Sequence, residues 1–118
     1  MPDLGLVILY VDSPPASVAF YAALLDRQPV EASPTFAMFA LPSGIALGLW
    51  SRHTVQPAAL TTGGGTELAF TVSDVDTVHA DWAARGLTIV QPPTELDFGR
   101  SFVALDPDGH RLRVLTPA

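Results

Sequence analysis

Catalysis or metal binding needs polar groups that converge, and few residues of this chain are spaced to do so. There is no cysteine, which excludes disulfides, thiolate metal sites and a cysteine nucleophile. The three histidines, His53, His79 and His110, fall in a linker, on a predicted helix and in a turn, and are not expected to meet. Glu67 as a general base and Tyr10 as an acid are the remaining catalytic candidates, each without an evident orienting partner. The pattern that suggests binding is Gly48-Leu49-Trp50. Side chains alternate along a strand, so Gly48 and Trp50 share a face. An indole beside a residue with no side chain leaves a flat slot for an aromatic ring; a core or dimer-interface tryptophan explains Trp50 as well. Phe36 and Met38, across a predicted hairpin, either add wall to that slot or simply pack. Arg100 either holds a ligand carboxylate or is solvated. His79 and Trp82 read as helix-to-sheet packing, and His110 as a turn residue.

The elements that carry these residues can be read from periodicity. Leu6 to Val11 is an apolar run followed by Asp12-Ser13-Pro14, where Ser13 can cap a helix and Pro14 takes its favoured first position. Val18, Phe20, Tyr21, Leu24 and Leu25 follow at close to three-and-four spacing, predicting a helix to about Asp26. Thr35 to Leu41 and Ile45 to Trp50 flank Pro42-Ser43-Gly44, a hairpin loop with glycine where a positive φ is wanted. After a linker rich in Thr, Ala and Gly the same order returns. Thr66 to Val72 reads as a strand, Asp74 as a cap, and Val75, Val78, His79 and Trp82 as one stripe of a helix ended by Gly86. Leu87 to Val90, Phe102 to Leu105 and Arg111 to Leu115 are the remaining strands, the last two flanking the turn Asp106-Pro107-Asp108-Gly109-His110. Val11 superposes on Val72, and Pro42, Gly44 and Leu47 on Pro107, Gly109 and Leu112. The chain therefore reads as a duplicated βαβββ unit. The expected fold is α+β, a curved, mixed but mostly antiparallel sheet with helices on its outer face and a cavity on the concave one. It forms a single domain over 1–118: module one 1–57, linker 58–65, module two 66–118.

The 118 residues carry 48% hydrophobic and 15% charged side chains, and a mean hydropathy of +0.33, as in a packed globular domain rather than a disordered one. Six basic against twelve acidic residues give a formal charge of -6, which provides no footprint for nucleic acid or an anionic membrane. Ala32 to Ser51 is uncharged over roughly the length of a bilayer span, but Pro34, Pro42, Ser43 and Gly44 break it into two strands and a turn. The opening Met1-Pro2-Asp3-Leu4 lacks the basic region and cleavage site of a secretory signal, so a cytoplasmic address is expected.

Taken in order, Leu9-Tyr10-Val11-Asp12, Phe20-Tyr21-Ala22-Ala23-Leu24-Leu25, the run from Glu67 to Asp76 and Asp106-Pro107-Asp108-Gly109-His110 resemble the vicinal oxygen chelate superfamily. Glyoxalase I, extradiol dioxygenases and bleomycin-resistance proteins are its members. The run Ser33-Pro34-Thr35-Phe36-Ala37-Met38-Phe39 with Leu47-Gly48-Leu49-Trp50 is most similar to the phenazine-resistance branch, whose members bind a planar antibiotic. The resemblance places the metal-ligand positions of metal-dependent members at Leu6, Gly48, Glu67 and Arg113. One carboxylate beside a cation does not make a divalent-metal site. It implies inward-facing sets Leu6, Ile8 and Tyr10; Ala46, Gly48 and Trp50; Glu67, Ala69 and Thr71; and Arg111, Arg113 and Leu115. Symmetric hairpins add Phe36, Met38 and Ala40, and Ser101, Val103 and Leu105. Glu67 and Arg113 then stand either as a charge pair or as two solvated side chains.

The function the resemblance implies is metal-free binding and sequestration of a planar, largely apolar small molecule, as in antibiotic resistance of the phenazine or bleomycin type, with no cofactor and no catalytic residue. The expected ligand-binding set is Trp50, Gly48, Phe36, Met38, Tyr10, Glu67, Ser101 and Arg113. The alternative is a divalent-metal-dependent lyase or dioxygenase of the same superfamily. A homodimer is expected, because small open-sided sheets of this kind are completed by a second copy.

Overall fold

The computed structural model describes residues 2–118, so Met1 of the opening segment lies outside the described residues. The chain divides into two compact units, Met1–Thr62 and Gly63–Ala118, with the boundary inside the predicted linker. The α+β fold takes the form of two mixed, four-stranded sheets, one per unit.

In the first unit, β1 (Leu6–Val11) leads into α1 (Pro14–Leu25), then β2 (Glu31–Ala32), β3 (Phe36–Ala40) and β4 (Ala46–Ser51). Ser13 caps α1 by accepting from the Ala16 amide at 3.3 Å, and Asp26 closes it in the left-handed conformation at φ 51°, a conformation Asp tolerates better than most residues. The strand order is β1-β4-β3-β2, with β1 parallel to β4 and the others antiparallel. Gly44 turns the β3–β4 loop at φ 94°, as the loop sequence requires. Helix α1 packs on β3 and β4. Tyr21, Leu9, Val11, Ala37, Phe39, Leu47 and Leu49 are buried, which is one parity of each strand together with the helix.

The second unit repeats this plan. Strand β5 (Glu67–Thr71) leads to α2 (Val75–Ala84), β6 (Thr88–Leu96), β7 (Gly99–Leu105) and β8 (Arg111–Pro117), in sheet order β5-β8-β7-β6. Asp74 caps α2 through the Thr77 amide at 3.2 Å, and Gly86 leaves the helix at φ 87°. Trp82 and His79 pack edge-on against Phe102, ring centroids 5.4 and 5.2 Å apart, over a core of Phe102, Ala104, Leu112 and Val114. Strand β2 of the first unit was not expected and β8 runs two residues past Leu115; two other strands of this unit differ more. β6 runs on to Leu96 through Pro92 and Pro93, because it is an edge strand whose register shifts twice, between Ile89, Gln91 and Thr94, and an edge tolerates missing donors. β7 starts three residues early at Gly99, whose φ of 141° only glycine adopts readily. Among the described residues, no helix is long and apolar enough to cross a membrane.

Candidate functional site

Each sheet has one face under its helix, and the register settles which side chains share the other; on β7 of the second unit even that face is buried at Ser101 and Val103. In the first unit Leu6, Ile8 and Tyr10 pair with Ala46, Gly48 and Trp50, and Ala40, Met38 and Phe36 pair with the same three from the other side. The three strands thus align their non-core residues in rows. The result is an apolar, aromatic surface: Leu6 and Ile8 are each 38% exposed, and Tyr10, Phe36, Met38 and Trp50 are half-buried. Phe36 meets the Trp50 indole edge-to-face at 6.2 Å and 87°. Gly48 is itself buried. Side-chain atoms of Leu6, Ile8 and Phe36 each lie 3.3 Å from where its Cβ would stand. The open backbone expected beneath a slot is therefore covered, and the role of the glycine is to let three apolar side chains converge beside Trp50.

The equivalent face of the second unit has the opposite character. Glu67 aligns with Arg111, Ala69 with Arg113 and Thr71 with Leu115; Ser101, Val103 and Leu105 complete the rows across β7. Glu67 accepts two hydrogen bonds from Arg113, from Nε at 2.7 Å and NH2 at 2.9 Å. Arg113 NH1 donates to Ser101 Oγ at 3.0 Å, and the Phe98 ring lies 5.8 Å from its guanidinium carbon. Arg111 Nε approaches Glu67 Oε2 at 3.1 Å, an ion pair by distance but without hydrogen-bond alignment. The Arg113 hydrogen bonds above all, helped by the charges of both arginines, hold the Glu67 carboxyl below its usual pKa against the opposing effect of burial. The same bonds raise Arg113. Of the two readings of Glu67 and Arg113, the charge pair is the one present. Sequence reasoning placed Arg111 on this face but not in the site; its signal was its two-residue spacing from Arg113. Phe98, in the β6–β7 turn, had no such signal.

The other polar candidates are engaged elsewhere. Arg100 is bound by Asp76 at 2.8 and 2.9 Å and by Glu95 at 3.1 Å, beside a cleft of about 300 Å³ at the start of α2, so it lies at the surface as part of an ion-pair cluster. His53 bonds Asp12 at 2.7 Å. Buried His110 pairs through Nδ1 with Asp106 Oδ2 at 2.7 Å, while Asp106 Oδ1 accepts from the amides of Asp108 and His110. Among the described residues, no three His, Asp or Glu side chains gather as metal ligands. Leu6 and Gly48 offer no donor atom and Glu67 is committed to two arginines, so this set does not fit a divalent ion.

A duplicated βαβββ plan, each sheet with a helix on one face only, defines a class, and the comparisons agree on it. The model of the Glyoxalase/Bleomycin resistance protein/Dioxygenase superfamily matches residues 3–114, and the chain belongs to that superfamily. It is 30% identical to the phenazine antibiotic resistance protein EhpR of Enterobacter agglomerans, over 96% of this chain and 89% of the relative. A solution structure of a protein from Agrobacterium tumefaciens matches with 55% identity and a TM-score of 0.92, covering 100% and 99% of the two chains. A glyoxalase-related enzyme from Fulvimarina pelagi shares the fold, with 22% identity, a TM-score of 0.85 and coverage of 98% and 88%.

Proposed function

We propose that this protein binds and sequesters a planar, largely apolar small molecule without a metal ion, with a role of the antibiotic-resistance kind. The observation that carries the reading is the half-exposed aromatic face of the first unit, which Trp50, Phe36, Met38, Ile8 and Tyr10 share with Gly48. Such a surface favours a flat aromatic ring through buried apolar area and edge or stacking contacts. Similarity to the phenazine antibiotic resistance protein supports the ligand class. On the second unit, taken by itself, Glu67 and Arg113 are the proposed polar binding residues, with the fully buried Ser101 holding the Arg113 guanidinium. In this reading the two modules act as one domain in the cytoplasm and the protein is a homodimer, which sedimentation at micromolar concentration checks.

The test uses phenazine as probe and the Trp50 indole as reporter. Trp50→Ala is expected to weaken binding by about 1 to 3 kcal/mol through lost stacking and burial. Gly48→Leu is expected to abolish it, because the new side chain forces Leu6, Ile8 and Phe36 out of their positions. The purified protein should bind phenazine after exhaustive chelation. If both variants fold and bind like the parent, the ligand does not sit on this face.

A further inference from the structure

On the three strands β1, β4 and β3, the face of the first sheet that lies away from α1 is apolar but for two donor groups, and these stand side by side. The register sets Tyr10, Trp50 and Phe36 in one row. The rows beside it, Ile8, Gly48 and Met38 and then Leu6, Ala46 and Ala40, offer no side-chain N–H or O–H. Tyr10 carries a hydroxyl and Trp50 an indole N–H, and among the described residues neither group makes a hydrogen bond. Both side chains are half-buried. A flat ligand on this row shuts water away from them, and a donor left unpaired in an apolar contact costs free energy.

The two donors are not equivalent toward such a ligand. An indole N–H lies in the plane of its own ring, so it does not reach a molecule stacked on that ring. Tyr10 sits directly opposite Trp50 on the next strand, about 4.8 Å across the pair, beside the edge of a molecule stacked there. We propose that Tyr10 is the specificity-determining residue of this face, its O–H donating to an acceptor in the plane of the aromatic ligand, a ring nitrogen or a carbonyl oxygen. Apolar neighbours sharpen the selection, because an acceptor-free ring leaves the hydroxyl unpaired where no other side chain of these rows can accept it. The proposal rests on the small-molecule reading above and uses the first unit alone. It narrows the ligand from any planar aromatic to one with an in-plane hydrogen-bond acceptor at its edge.

The test compares quinoxaline, which has two ring nitrogens, with naphthalene, which has the same shape and no acceptor. Affinities are read from the Trp50 indole N–H in NMR titrations of the full chain at neutral pH. Tyr10→Phe keeps the ring and removes the donor. It is expected to weaken quinoxaline about three- to tenfold more than naphthalene. The nitrogen resonances of isotope-labelled quinoxaline should move upfield on binding to the parent, as accepted hydrogen bonds require, and move less with Tyr10→Phe. Equal losses for the two probes would reduce Tyr10 to packing and overturn the proposal, with the aromatic face left standing. An unchanged quinoxaline affinity in Tyr10→Phe, or nitrogen resonances unmoved by the parent, overturns it in the same way and needs no second variant. If neither probe shifts the indole, the aromatic-face reading itself fails and the role of Tyr10 falls with it.

Discussion

Removing the Glu67 carboxylate should cost the second unit more than a surface ion pair would. In Glu67→Gln an amide replaces the carboxylate that accepts Arg113 at 2.7 and 2.9 Å, and one amide nitrogen must then face a guanidinium. Breaking a fully buried pair costs about 3 to 5 kcal/mol, and an exposed pair about 0 to 1. Side chains that are 16% and 30% exposed lie between these limits, so a loss of about 1 to 2 kcal/mol is expected. Arg113→Met should cost less, because Arg111 remains 3.1 Å from Glu67. The double variant should be more stable than the sum of the singles predicts, by about 1 kcal/mol, since it removes both charges of the less exposed pair and leaves only the more exposed Arg111 without its carboxylate. Urea unfolding followed by fluorescence of Trp82, in a Trp50→Phe background, reads the second unit directly. The pH dependence supplies an independent check. The folded pKa of Glu67 lies below the ordinary 4.5, so its contribution is fully present above that pH and is lost as pH falls through the depressed value. The gap between parent and Glu67→Gln should therefore close in acid. Additive singles, or a gap unchanged at low pH, would refute the clamp.

Two further outcomes concern the frame around this face. Gly99→Ala should destabilise the protein by about 2 kcal/mol or more in chemical denaturation, because φ is 141° and a Cβ would collide with the Thr116 carbonyl of β8. Asp106→Asn should lower stability by about 2 kcal/mol, since its buried carboxylate accepts from two amides and pairs with His110 at 2.7 Å; thermal unfolding checks this.

Much of the frame was legible because its signals are local. Ser13-Pro14 and Asp74 start helices, and Gly44 and Gly86 mark turns, through backbone rules that act within a few residues. The facing of β1, β3 and β4 was legible only through the family resemblance, which set the inward residues, because β1 and β3 are apolar on both faces; a slip of one residue would exchange those faces. The long β6 was not legible, because whether Pro92 and Pro93 end a strand depends on whether that strand is an edge, and sheet order is a non-local property.

The sequence by itself determined the duplicated α+β plan, the aromatic composition of one open face and the missing donor atoms at Leu6 and Gly48. These follow from side-chain type and from alternation along single strands. Only the tertiary structure decided what each polar side chain touches. Glu67 and Arg113 are 46 residues apart, and Ser101 and Arg111 join them through the pairing of β5, β7 and β8. The same pairing closes Leu6, Ile8 and Phe36 over Gly48. Contacts between distant strands depend on register and rotamer together, and no local pattern encodes either partner's position.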